Sequence, residues 1–192
     1  MEQLANIKDE FRDGWRIVLG AAIAAGTGLA AVLLNFSMFV LPLAQELNVS
    51  RGEVASAQAL IVTAALGAPV FGRISDRFGV RTVFVVCTLV AASVYFLAAT
   101  LASNLFHIGM TVAAIGFFGI GSTAVVLSRP ITEHFIAHRG KALGLIAVGT
   151  TVVTIATTPA LQWLLEMWGW RMSFLSFAIA SVAIGIPAVL IL

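Results

Sequence analysis

The residues best suited to chemistry fall in one short stretch, Gly72-Arg73-Ile74-Ser75-Asp76-Arg77-Phe78-Gly79-Val80-Arg81. Asp76 is a single acid among three arginines, a composition suited to a charge-assisted hydrogen-bond network. Gly72 lets two helices approach closely, and Gly79 permits the positive φ of a tight turn. A second isolated charge, Arg129, stands just before Pro130 near the end of an apolar run. A charge inside such a run is rare and usually faces a cavity or a partner. Its fork can receive a carboxylate with two parallel bonds; alternatively, as its shallow depth favours, its long side chain snorkels to the membrane surface as an anchor or gate contact. Both readings stand at this point.

These charges must be positioned by apolar elements, because little else is present. Of 192 residues 60% are hydrophobic and 10% charged, against roughly 45–50% and 25% in soluble domains. The mean hydropathy of +1.02 agrees. A soluble globular enzyme and a disordered chain are both excluded, and the single Cys87 excludes a disulfide scaffold. A bilayer crossing needs roughly 20 apolar residues in a helix. Six stretches qualify: Ile17–Leu43, Val54–Ile74, Thr82–Leu101, Ile108–Ile131, Ala142–Leu165 and Met172–Leu192. Residues 1–16 form a short segment ahead of this bundle, which takes up residues 17–192. The first apolar run is too long for the h-region of a signal peptide.

Basic residues orient the bundle. Lys8, Arg12, Arg16, Arg73, Arg77, Arg81, Arg129, Arg139 and Lys141 lie on one side, and only Arg51 and Arg171 on the other. Nine against two places the first side, with the N-terminus, in the cytoplasm. The last run stops at Leu192 without a basic flank, and we expect the sequence to be part of something larger.

At an offset of 90 residues, Pro69, Asp76, Phe78, Gly79, Arg81 and Phe84 fall on Pro159, Glu166, Trp168, Gly169, Arg171 and Phe174. Three spans per copy is odd, so the second copy would be inverted in the membrane, as in many secondary transporters. The competing explanation is that Gly-aromatic-Arg simply punctuates tight helix-to-helix turns.

The Gly72–Arg81 stretch resembles the signature loop of the major facilitator superfamily, matching it at Gly72, Asp76, Arg77, Gly79 and Arg81. Ile74 and Ser75 are mild replacements, and Val80 loses one basic position. Glu133, Arg139, Gly140 and Lys141 resemble the acid ending span four and the Arg-Gly opening span five. The resemblance implies an all-α membrane protein of six transmembrane helices as an inverted 3+3 repeat, half of a twelve-helix transporter. It also implies that Asp76, Arg81 and Glu133 form a cytoplasmic charge network gating the two halves, within a motif that includes Gly72, Arg77, Gly79 and Arg139. Asp13-Gly14-Trp15, the Gly116, Gly119 and Gly121 cluster, and Arg139-Gly140-Lys141-Ala142-Leu143-Gly144 with Gly169-Trp170-Arg171 resemble the monocarboxylate and oxalate–formate porter branch. The Gly-Pro-x-x-Gly-Gly element of drug–proton antiporters is missing.

By the same resemblance, spans one, two, four and five line a central cavity. Their mid-depth polar residues are Thr27, Asn35, Gln58, Thr63, Ser122, Thr123, Thr150, Thr151 and Thr154. Most Ser and Thr in spans bond back to their own helix or glue helices together, so Asn35 and Gln58 are the better substrate candidates, with Arg129, Thr150 and Thr154 beside them. The acids Glu46, Glu53, Asp76, Glu133 and Glu166 sit at span ends, and His134 and His138 read as solvated loop residues. Ser50 and Glu53 form a capping box opening span two. The glycine cluster of span four and Gly140-x-x-x-Gly144 read as close helix contacts. No metal-ligand cluster, nucleophile triad or phosphate-cradling Gly-Lys-Ser/Thr loop is found. The expectation is therefore no enzyme, no cofactor and no metal. The expected function is a symporter or antiporter in the plasma (inner) membrane, moving a small organic anion such as a monocarboxylate by alternating access. Its partners would be the lipid bilayer, the small-molecule substrate and a second six-helix half, in the same chain or a second copy, with no nucleic acid. The alternatives are a non-transporting receptor or regulator that keeps the fold, or a fragment inactive without its second half.

Overall fold

The computed structural model describes the backbone of residues 2–136 and 138–191, and the side chains of residues 10–12, 14–136 and 138–191. Lys8, Asp13 and Leu192, used above, lie outside the described side chains. The described residues are almost wholly helical, because lipid supplies no partner for a free backbone amide. Five helical runs are long and apolar enough to cross a membrane: Gly14–Leu47, Arg51–Phe78, Val80–Leu101, Leu105–His134 and Arg139–Leu190.

The runs are divided where the sequence interrupts the helical ladder. The first contains α1 (Glu2–Thr27) and α2 (Leu29–Leu47), broken at Gly28. Asn48 ends it in the left-handed conformation, one of the few non-glycine residues that tolerates it. The predicted capping box is present: the Ser50 hydroxyl accepts from the Glu53 amide, and the Glu53 carboxylate accepts from the Ser50 amide. It opens α3 (Arg51–Gln58), which passes through a 3₁₀ stretch at Ala59–Val62 into α4 (Thr63–Phe78). Gly79, at φ 84°, turns the chain into α5 (Val80–Leu101). Asn104 caps α6 (Leu105–Gly119) by accepting from the His107 amide. A 3₁₀ stretch at Ile120–Ser122 and extended Thr123 separate it from α7 (Ala124–His134).

The last run, which opens with α8 (Arg139–Ala180) and continues to Leu190, breaks at Gly169, where φ is 77° and ψ −179°. Its two parts lie side by side. Ala142 and Ala188 share one core cluster, while Leu165, Trp170 and Phe174 share the cluster at the opposite end. A π-helical stretch at Ser181–Gly185 precedes α9 (Ile186–Leu190), which carries Pro187 in its first turn. The wider π turn accommodates a residue that lacks the amide and crowds the preceding carbonyl.

The core is split in kind as well as in place. Near Arg73, Arg77 and Arg81, called here the basic end, small residues such as Ala21, Ala24, Ala25 and Ala142 pack with Phe84, Leu127, Ile131 and Phe135. The far end packs Phe36, Phe39, Tyr95, Trp170, Phe174 and Phe177, with Phe39 and Phe174 stacked at 5.1 Å.

The glycine expectations divide. Added Cβ atoms at Gly116 and Gly119 would press on Thr63 and Leu29 respectively, and one at Gly121 would overlap Cys87, so span four is closely approached as expected. Gly72, Gly140 and Gly144 would meet nothing within 4 Å. They bring no two helices of this chain together, which corrects the expectation of close contacts there: the faces they occupy point away from the bundle.

Candidate functional site at the basic end

Three spans bring the site together. The last turn of α4 presents Asp76, the first turn of α5 presents Arg81, and the last two turns of α7 present Arg129 and Glu133. Arg129 joins the carboxylates. Its Nη1 donates to Asp76 across the two spans, and its Nε donates to Glu133 one turn along α7 at 3.0 Å. The i,i+4 spacing of Arg129 and Glu133 pre-sets half of this arrangement. The resemblance had placed Arg81 in the network; the cation between the carboxylates is instead Arg129. Arg81 begins the next helix beyond the Gly79 turn and lines the same cleft, of about 340 Å³, with Ser75, Pro130 and the ion pairs. All three paired side chains are substantially exposed, Asp76 to 70%. Such pairs gain modest energy and exchange readily, so this cluster suits a contact that must be made and broken.

The other motif residues have separate duties. The Arg77 guanidinium lies 5.4 Å from the Phe78 ring, and the Ser75 hydroxyl donates to the Gly72 carbonyl. Arg139 opens α8 and returns its Nε to the Phe135 carbonyl at 3.1 Å. His138, expected to be solvated, is instead mostly buried and paired with Glu10 at 3.1 Å. The pairing goes with Phe11 packing on Phe135, centroids 5.0 Å apart, which sets the neighbouring Glu10 beside the loop. Gly14 permits this approach, since a Cβ there would overlap the Phe135 ring.

The mid-depth candidates separate cleanly. Asn35 is 3% exposed; its amide donates to the Ala31 carbonyl and its oxygen accepts from the Thr158 hydroxyl. Thr154 is 1% exposed and its hydroxyl donates to the Thr150 and Gly26 carbonyls. Both tie the first run to α8 in this structure. The Thr150 hydroxyl is buried without a partner. Gln58 is half-buried at the end of α3. Thr27, Ser122, Thr123 and Thr151 bond to carbonyls of their own runs, as their chemistry in a span predicts.

Sequence reasoning missed a second ionic cluster, at the far end. Arg171 donates to Glu46 at 2.9 Å and to the Ala99 and Ala102 carbonyls, each at 3.0 Å. It also lies 4.3 Å from the Trp170 ring, whose indole N–H donates to Glu46 at 2.6 Å. The clue was in the repeat, which sets Arg171 at the position of Arg81, and in Glu46 at the end of the first run.

Comparison with known proteins supplies the family. The pattern of the Major Facilitator Superfamily matches residues 18–192. The chain is 34% identical over 161 residues to monocarboxylate transporter 11 of Homo sapiens, covering 82% of this chain and 34% of that protein. It is 28% identical over 163 residues to monocarboxylate transporter 4 of Rattus norvegicus, with 84% and 34% covered. A putative metabolite transport protein of Haemophilus influenzae is 28% identical over 169 residues, with 84% and 40% covered. The chain thus spans about a third of the length of the curated relatives it matches. With a family match over nearly the whole of its length and several monocarboxylate transporters among its relatives, this chain belongs to the Major Facilitator Superfamily.

Proposed function

We propose that this chain is part of a secondary transporter that carries a small organic anion, a monocarboxylate in the first instance, across the membrane by alternating access. The observation that carries the reading is the Arg129–Asp76–Glu133 network: exposed ion pairs bridging two spans at one membrane face. Such a contact is of little use to stability and of much use as a gate. The family and the names of its relatives agree.

In this reading the chain makes six crossings as two inverted sets of three, one half of a twelve-helix protein. Support comes from Gly79 and Gly169, aligned at the offset of 90, which both take positive φ and both turn one helix into the next. The basic end faces the cytoplasm of a plasma (inner) membrane, following the nine-to-two count of basic residues. The second half, in the same native polypeptide or a second copy, covers the exposed apolar stripe of span two, Val62, Leu66, Val70, Ile74 and Phe78. It also covers the open glycines Gly72, Gly140 and Gly144. Gln58, half-buried, is the mid-depth candidate for substrate contact, since the Thr150 hydroxyl is buried, and Arg129 serves the gate.

The test is uptake of radiolabelled lactate and pyruvate by liposomes holding the full native polypeptide. Saturable uptake is expected, with Asp76→Asn inserting normally but carrying at least about tenfold less flux, the scale of one charge-assisted bond. Ligand binding without flux in the unaltered protein would replace transport with a receptor role.

A further inference from the structure

The π-helical stretch Ser181–Gly185 packs against α1 and α5. Its register against α5 is fixed at three levels. A Cβ on Gly185 would stand 3.7 Å from the Phe84 ring. Val182 and Ala183 share an outer groove with Leu89, and Phe177 and Phe174 pack on Tyr95 at 5.7 and 6.2 Å. The two helices run antiparallel, so Thr88, one turn beyond Phe84, falls at the level of Ser181. Thr88 is 2% exposed, and its hydroxyl is buried with no hydrogen-bond partner among the described residues. Thr27, Thr111 and Thr154, by contrast, each bond back to a carbonyl of their own helix. A buried hydroxyl left alone is costly.

The groups at this level are rich in acceptors and short of donors. The Ser181 hydroxyl spends its proton on the Ala178 carbonyl at 3.0 Å and keeps its lone pairs. Thr27, whose Oγ1 a Gly185 Cβ would approach to 2.9 Å, also spends its proton within its own helix. Pro187 brings no amide, so the carbonyl of Ala183 or Val182 lacks its helical donor. A π turn opens the helical ladder, and such an opening is where water inserts. We infer that one ordered water is bound between Thr88 and Ser181, accepting from the Thr88 hydroxyl and donating to the Ser181 oxygen and to the freed carbonyl. A buried water needs only about two to four polar partners. A cation at the same acceptors would need a countercharge, and residues 17–45, 82–101 and 172–190 contain no Asp or Glu. The water thus completes the hydrogen bonding of the last span at mid-depth, and Thr88 is its positioning residue.

The experiment uses the full native polypeptide in detergent, with X-ray radiolysis, in which a bound water yields hydroxyl radical in place, and denaturation measured on the same samples. Phe84 and Phe39 are both 1% exposed, but only Phe84 lies beside the site. It should be oxidised at least about threefold faster than Phe39. Thr88→Val keeps the shape without the hydroxyl; it should abolish that excess and raise the unfolding constant about fivefold, the scale of one hydrogen bond. Thr88→Ser should leave both readings near those of the unaltered protein. Ser181→Ala should also destabilise, and the double variant with Thr88→Val should be within about twofold of the poorer single, because both lose the same water. Equal oxidation of the two phenylalanines, a Thr88→Val protein as stable as the original or more so, or additive losses would overturn the site. Stability that rises when sodium replaces choline at equal ionic strength would put a cation there and overturn the water. If Thr88→Val fails to insert, the comparison of Phe84 with Phe39 in the unaltered protein decides.

Discussion

The two ends of the bundle carry the same chemistry, one arginine and acidic partners, in opposite settings. At the far end Arg171, 39% exposed, has the more varied partners: a carboxylate, two carbonyls at the end of α5 and an indole face. Cations favour helix C-termini, and aromatic rings pack around this one. At the basic end Arg129 holds two carboxylates in the open, above a core rich in alanine. Arg81, the repeat partner of Arg171, has no acidic partner among the described residues. One arginine ties the part of α8 beyond Gly169 to the end of α2 and the end of α5; the other bridges α7 and α4. The far-end cluster is called here the clasp and the basic-end cluster the latch, and they differ in what surrounds each guanidinium.

The largest effect should come from breaking the clasp. Arg171→Ala removes three hydrogen bonds and a cation–π contact, leaving the Glu46 charge and two carbonyls without their partner. We expect a loss of about 2–3 kcal/mol, read as a lowered denaturation midpoint in detergent, with the residual protein still able to bind substrate. Arg129→Gln at the latch should do the reverse: stability within about 1 kcal/mol of the unaltered protein, but flux reduced about tenfold. Equal destabilisation by the two variants would show that the ends do not differ as argued.

How far the sequence led follows the same division. Helix placement was legible because apolar length and punctuation are local: Gly79, Ser50 with Glu53 and Gly169 each act where they stand. The charge-rich basic loop was legible from composition. What could not be read were partnerships set by tertiary packing. Nothing in the local sequence says that Arg129 rather than Arg81 would meet Asp76, since that depends on how the end of α7 lies against α4. Asn35 looked costly in lipid and therefore functional, but Thr158, 123 residues away, supplies its partner. His138 sits in a short loop and reads as solvated, but Glu10, 128 residues away, pairs with it. Gly140 and Gly144 followed a helix-contact spacing whose partner is not in this bundle.

A smaller effect tests the far-end boundary between spans one and two. Ser50→Ala removes one side of the capping box, and about 1 kcal/mol is expected for a cap of this kind. Hydrogen exchange should rise in α3 alone. A rise extending to Glu46 and Trp170 would mean that the clasp and the cap are one unit, and that the far end is held less locally than the hydrogen bonds indicate.

The smallest change separates the basic end from everything packed within the chain. Gly144→Ala introduces a methyl group that meets nothing within 4 Å. In a helix with an open face, alanine is favoured over glycine by roughly 0.5–1 kcal/mol. If that face meets only lipid, Gly144→Ala should stabilise the protein by about that amount. If a second bundle presses its backbone there, as proposed, the added methyl must displace packed atoms and the sign reverses. We expect the reversed sign in the full native polypeptide, measured as a lowered denaturation midpoint, with Ala147→Ser on the same exposed side of α8 as a control. A stabilised variant would show that the open glycine face of the basic end is a lipid surface, and the latch would then need its second half elsewhere.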